Sequence, residues 1–269
     1  MSFLWQEILY KPLLNILVFL YNSLAFHDIG LAIIELTILV RLALLSPSLK
    51  ALRAQIVLQK IQPELEKIRK KYKDDREKQT KATMEFYQKY KINPLSSCLP
   101  TLIQLPILIA LFWILRDALG SSNLHLLYPF IHNPGKINPV SLGFFDLSQK
   151  GNWILALLAA ASQFVQSKMI MPKPTKGQEG LQTALSSQMV YFMPLVTLIF
   201  ALQFPAGLAL YWLTTTVFAI GTQYFVLREE KTGKLNLNKN KQEGRLTQFF
   251  NKYRKEAERI KKDLERRNK

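Results

Sequence analysis

The sequence predicts an all-α integral membrane protein: a five-span helical bundle with an interfacial helix on its outer face and a cytoplasmic helical hairpin. Three observations carry this. Of the 269 residues, 49% are hydrophobic, and they are gathered into blocks instead of being spread along the chain. The net charge of +17 lies almost entirely between and after those blocks. Three of the blocks have about the length of one bilayer crossing and the last about twice that, a crossing needing about 20 residues for a hydrocarbon core roughly 30 Å thick.

Residues 1–26 are apolar but interrupted by Glu7, Lys11 and Pro12, and the run from Leu13 to Leu20 is too short to cross. They read as an amphipathic helix on the outer surface, with Phe3, Leu4, Trp5 and Tyr10 at interfacial depth. A sixth span or a signal peptide is the competing reading, although no A-x-A-like cleavage site follows. The first span takes residues 27–46, its apolar block running from Ile29 to Leu45.

In residues 47–94, Ser46 is suited to cap a helix that has Pro47 at its first position. Ala51, Ala54, Leu58, Ile61, Leu65, Ile68 and Tyr72 then recur at steps of three and four, the seam of a coiled coil. Pro63 should kink this helix, and Asp74-Asp75 should turn the chain. The returning helix should offer Met84, Phe86, Tyr87 and Tyr90 to the first; a plain basic linker is the alternative. The second span takes 95–119, opened by the small residues Ser96-Ser97-Cys98, and an outer loop takes 120–150. The third span takes 151–171, followed by a cytoplasmic loop, 172–188, with a turn at Gly177-Gln178-Glu179-Gly180.

The apolar stretch from Met189 to Leu227 is about twice as long as one crossing needs, so it must fold back. The corner falls at Phe204-Pro205-Ala206-Gly207, where proline removes a donor and glycine permits a tight turn. That gives a fourth span at 189–204, a fifth at 205–228 and a basic tail at 229–269.

Basic residues near span ends set the orientation. Pro47 to Leu95 holds 13 basic and 6 acidic residues, and Glu229 to Lys269 holds 14 and 7, so both are expected in the cytoplasm. Gly120 to Lys150 has only Lys136 and Lys150 and is expected outside. An odd number of spans then puts the N-terminus outside.

Little in the chain suggests catalysis. His27, His125 and His132 are scattered, Cys98 is the only thiol, and no glycine-rich loop is built to cradle phosphate. No enzyme activity, metal or cofactor is expected. Polar residues within spans say more, because groups without partners in hydrocarbon are costly and tend to face a bundle interior or a wet cavity. Thr37 and Arg41 are four apart and share a helical face. Gln104, Gln163, Gln166, Gln203, Thr214, Thr215, Thr216 and Gln223 add uncharged hydrogen-bonding groups that could line a groove with them. Arg41 also lies about one turn from the cytoplasmic end of its span, so snorkelling to the interface is an equal reading by position. Glu35, near mid-span on a different face, has no identifiable partner.

Four strings in order then point to a family: LTILVR ending at Arg41, LQKIQPEL in the hairpin, NPLSSCLPTLIQLPILIALF from Asn93 to Phe112, and FPAGLALYW from Phe204 to Trp212. From Phe3 to Arg228 the chain resembles the YidC family of membrane protein insertases. The resemblance implies a hydrophilic groove in the membrane, open to cytoplasm and lipid and closed outside, centred on Arg41. Thr37 would stand beside the arginine, Gln104 would form a polar wall, and Tyr211 and Trp212 would touch the passing segment; Gln203 and Gln223 complete the set. Gln203 stands where relatives often have an aromatic residue, Thr216 where asparagine is common, and Ser97 where glycine is usual. With no large extra outer domain and no lipid-attachment cysteine, the chain resembles a minimal bacterial form, expected in the cytoplasmic membrane.

Nascent membrane proteins and lipids are the implied partners, with the ribosome, the Sec translocon and the signal recognition machinery as further ones. The tail residues Lys252, Arg254, Lys255, Arg259, Lys261, Lys262, Arg266 and Arg267 suit a partner bearing phosphate, the ribosome by resemblance or anionic lipid by composition. An assembly scaffold for membrane complexes remains the alternative function. A transporter or channel is the more distant one, since no inverted repeat is visible.

Overall fold

The computed structural model describes residues 5–90, 99–119, 123–171 and 181–231. A π-helical turn, Gln6–Tyr10, runs directly into α1, Lys11–Ser23, the Lys11 N–H donating to the Gln6 carbonyl across the junction just before Pro12. α2, Ile29–Ala43, is capped by Asp28, whose Oδ1 accepts from the N–H groups of Gly30 (2.8 Å) and Leu31 (3.1 Å). α3 is Leu45–Lys71, α4 Arg76–Tyr90, α5 Leu99–Leu119, α6 Trp153–Ile170, α7 Leu181–Gln203 and α8 Ala206–Lys231.

The chain divides into two compact units, 1–56 with 95–226 and 57–94 with 227–269. In the first, α1 is built into the core: seven of its 13 residues are buried, and it packs on α2 and α5. Leu14, Leu17, Ile29, Ile33, Leu36, Ile114, Leu115 and Tyr211 are part of one continuous apolar cluster. α6 and α7 pack extensively along each other. α8 begins without a side-chain cap of its own; Ala206 and Gly207 donate their N–H groups to the carbonyls of Gln149 (2.8 Å) and Leu147 (2.9 Å), satisfying donors that a helix start leaves open.

The outward faces of these helices are apolar. Ile38, Leu39 and Leu42 on α2, Leu105 and Ile109 on α5, Leu157 and Val165 on α6, Leu195 and Ile199 on α7, and Val217 and Phe225 on α8 are all exposed. Side chains of this kind along several helices demand an apolar solvent. Among the described residues, Trp153–Ile170 alone is long and apolar enough to cross a membrane as a single helix, and only 17% of it is buried within the protein. Ile29–Ala43 with Leu45–Ile56 meets the same criterion as a pair bent by 66°.

The second unit contains a helical hairpin. Ile61, Leu65 and Ile68 of α3 meet Ala82 and Phe86 of α4, with Leu58, Tyr72 and Tyr87 partly buried around them. Asp75 caps α4, its Oδ1 accepting from the Lys78 N–H at 3.0 Å. The Lys78 ammonium, hydrogen-bonded to Asp75 at 2.8 Å, holds the Asp75 carboxyl below its usual range.

Three details differ from the sequence reading. α3 starts at Leu45, directly after the Leu44 cap of α2, so Ser46 and Pro47 lie within its first turn and Ser46 is not the cap. Met84 is 52% exposed, while Ala82, four residues before the buried Phe86, takes the inward position, because positions two apart point to opposite sides of a helix. The architecture is also not wholly α: Val140–Ser141 and Phe145–Asp146 pair antiparallel. Leu142 and Gly143 turn this hairpin at φ 52° and 80°, and glycine is what makes the second of these inexpensive.

Candidate functional site

At the end of the first unit that carries the 123–152 connection, polar groups are closely paired. The Tyr10 hydroxyl donates to Asp117 Oδ2 at 2.8 Å, Asn123 donates to the same oxygen at 2.9 Å, and Arg116 donates to Oδ1 at 3.1 Å. Burial first, and then the hydrogen bond to Asp117, push the Tyr10 phenol far up, so it remains a donor at any working pH. Asn15, itself buried, donates to the carbonyls of Lys11 and Leu126 and accepts from the Tyr128 N–H at 2.6 Å. Asp28, beyond capping α2, accepts from Ser141 Oγ (2.6 Å) and the Leu142 N–H (2.7 Å), which fastens the β-hairpin to the helix start. These contacts tie α1, α2 and α5 to the connection above them.

Further along the helices the polar groups are arranged differently. α2 presents Thr37 and, one turn on, Arg41. Thr37 is buried, and its hydroxyl donates back to the Ile33 carbonyl at 2.6 Å, leaving its lone pairs to accept. Arg41 is partly buried, and among the described residues no carboxylate pairs with it. From α8, Tyr211 reaches into the same region near Arg41, and its hydroxyl accepts a hydrogen bond from the Gln104 amide on α5. Three helices therefore converge on one cation and its uncharged polar neighbours.

Trp212 follows Tyr211 in α8 and so points about 100° away from it. It faces α6, where its Nε1 lies 3.5 Å from Gln163 Oε1. Thr214 and Thr216 return their hydroxyls to the carbonyls of Leu210 and Trp212. Thr215 lies close to the Tyr211 hydroxyl, yet its Oγ1 makes no full hydrogen bond. Thr197 Oγ1, Gln223 Oε1 and Glu35 Oε2 are likewise buried without a partner among the described residues.

The predicted groove residues are thus only partly gathered. Thr37, Arg41, Gln104 and Tyr211 come together, and Trp212 adjoins them on a neighbouring face of α8. Gln203 is the last residue of α7, exposed next to the strand-like contact of Lys150 with Pro205, whereas Tyr211 lies five residues into α8, about 7.5 Å along its axis at 1.5 Å per residue. Gln223 lies 12 residues beyond Tyr211 in α8. Ser97, the Gly177–Gly180 turn and the tail residues from Lys252 to Arg267 fall outside the described residues. Thr197 and the pairings of Asn15 and Asp117 went unread in the sequence; a lone threonine in an apolar span was the only sign of the first. Among the described residues, no three His, Cys, Asp or Glu side chains cluster to hold a metal.

The sequence profile of the family described as 60Kd inner membrane protein matches residues 19–234. The membrane protein insertase YidC of Fusobacterium nucleatum is 33% identical over 223 residues, which cover 82% of this chain and 98% of that protein. Proteins of the same name from Hahella chejuensis and Ruthia magnifica are 31% identical over 239 residues and 35% over 227, covering 88% and 84% of this chain. The chain spans only 38% and 37% of the length of those two. Since the profile covers well over half of it, the chain belongs to the 60Kd inner membrane protein family, the family of the membrane protein insertases named YidC.

Proposed function

We propose that the chain is a non-enzymatic membrane protein insertase and chaperone. It spans the bacterial cytoplasmic membrane five times, with its N-terminus outside, and guides nascent transmembrane segments from the cytoplasm into the bilayer through a hydrophilic groove centred on Arg41. The observation that carries this reading is a guanidinium with no carboxylate partner among the described residues, set beside the Gln104–Tyr211 pair in a bundle whose outward faces are apolar.

A cation held partly out of water attracts an acidic or polar segment more strongly than a surface lysine would, because Coulomb energy grows as the effective dielectric falls. Thr37, with its proton committed to Ile33, keeps lone pairs that would accept from the guanidinium one turn on. The polar end of a nascent segment would pause at Arg41 while its apolar part packs beside Trp212 and then leaves sideways into lipid, driven by burial of apolar surface. The paired groups of Asn15, Asp28 and Asp117 support a bundle closed at the opposite end. The basic tail, Lys252 to Arg267, would bring the ribosome to the cytoplasmic mouth, and the Sec translocon and signal recognition machinery would deliver substrates there.

The test is reconstitution in liposomes with a small two-span substrate whose translocated end is acidic. Arg41→Ala should lower insertion about tenfold or more, since a charge contact in partly desolvated surroundings is worth on the order of 2–4 kcal/mol. Arg41→Lys should keep much of it if charge is what matters. Unimpaired insertion by Arg41→Ala would remove the charged-groove role, and ion flux without insertion would favour a channel.

A further inference from the structure

Glu35 belongs to none of the contacts described above. At about 100° per residue it lies roughly 120° around α2 from Arg41, on the strip shared with Leu31, Ile38, Leu39 and Leu42. Ile38, Leu39 and Leu42 are 38, 48 and 52% exposed, whereas Ile29, Ile33 and Leu36, about 100° or more around the helix from Glu35, are at most 2% exposed. Glu35 therefore stands in the outward, apolar strip of the helix and not in the polar region around Arg41. Glu35 as a whole is only partly buried; one carboxylate oxygen, Oε2, is covered by the chain without a hydrogen bond, and among the described residues no cation pairs with the side chain. It is six residues into α2, about 9 Å from the helix start, so neither the cap nor the helix end accounts for it.

An acid among leucines is costly in hydrocarbon unless a donor arrives at the same depth. Charge complementarity and the surrounding leucines together define that donor. We propose that the Leu31–Glu35–Leu42 strip of α2 is a docking face for transmembrane helices that carry a lysine or arginine near mid-span. The basic side chain pairs with Glu35 while the apolar part of the helix packs on Ile38, Leu39 and Leu42. This rests on the insertase reading for the source of the helix, and it gives the protein two contacts of opposite charge: Arg41 for acidic segments and Glu35 for basic ones.

The test places a photo-crosslinking residue at position 39 of the full chain in nanodiscs and adds a polyleucine transmembrane peptide with one central lysine, or the same peptide without it. The lysine peptide should crosslink, and Glu35→Gln should cut the yield roughly threefold to tenfold, the scale of one interhelical polar contact in a bilayer. Glu35→Asp, which keeps the acid, should recover most of the yield, separating loss of the contact from loss of the fold. Equal yields for both peptides, or a yield unchanged by Glu35→Gln, would overturn the proposal. So would crosslinks between two copies of the chain in place of peptide adducts, which would assign the strip to self-association. Insertion of the acidic substrate by the wild-type chain is scored in parallel. Lysine-dependent crosslinking without insertion would keep the docking face and remove the insertase reading; insertion without such crosslinking would do the reverse.

Discussion

The end of the first unit that carries the 123–152 connection and the helices beneath it use polar residues in opposite ways. At the connection, Asp28 accepts from Gly30, Leu31, Ser141 and Leu142, and Asp117 accepts from Tyr10, Asn123 and Arg116. Along the helices, Arg41 and Glu35 have no ion pair among the described residues, and Thr197, Thr215 and Gln223 each leave a buried oxygen without a partner there. A buried polar group that is fully bonded stabilises a fold, whereas one left open costs stability. The connection end thus closes its buried polar groups with its own hydrogen bonds, whereas the helices beneath leave several open.

The sharpest way to break this contrast is to remove an acid from the connection end. Asp117→Ala leaves the buried Tyr10 hydroxyl without its acceptor and should cost roughly 2–4 kcal/mol, an orphaned donor plus charge-assisted hydrogen bonds. Thermal unfolding in detergent would register it. Asp117→Asn, which keeps an acceptor, should cost less. Arg41→Ala in the same assay should leave stability nearly unchanged while lowering insertion. If both variants lost stability equally, the two regions would not differ in the way described.

A smaller effect is expected where the β-hairpin meets α2. A Cβ at Gly30 would stand 2.7 Å from Ser141 Cβ and collide with Ser141 Oγ, which is already held by Asp28 at 2.6 Å. Gly30→Ala should therefore cost about 1–3 kcal/mol, the usual range for overpacking. At Gly207 the nearest atoms to an added Cβ are Ile33 Cδ1 at 3.4 Å and the Leu147 carbonyl at 3.5 Å, so Gly207→Ala should be tolerated. Comparing the two unfolding midpoints separates a steric requirement for glycine from a general dislike of substitution at the helix starts.

Local periodicity explains what could be read in the sequence. Apolar blocks located the helices, Pro205 marked the break between α7 and α8, and the spacing of Thr37 and Arg41 put them on one face. Pairings between distant residues could not be read this way: Tyr10 meets Asp117 and Gln104 meets Tyr211, each pair 107 residues apart. No property of Asp117 in sequence separates it from any acid at the end of a span. The short β-hairpin escaped for a related reason, since two residues per strand carry no alternation and Leu142 is an unusual residue at positive φ. Met84 was misassigned because three apolar residues in four positions leave the inward one undetermined until the partner helix is present.

Thr37 provides the finest test, because it is buried like the residues at the connection end yet adjoins Arg41 like the open ones. Its hydroxyl donates only to the Ile33 carbonyl in its own helix, which the backbone N–H of residue 37 can also reach, so Thr37→Val should cost about 1 kcal/mol or less. Insertion of the acidic substrate should nonetheless fall by roughly twofold to fivefold, since valine has no lone pair to orient the guanidinium, the worth of one modest hydrogen bond. Thr37→Ser should restore it. A loss of stability as large as that of Asp117→Ala would move Thr37 to the rigid group, whereas loss of insertion alone would place the start of the open region one turn before Arg41.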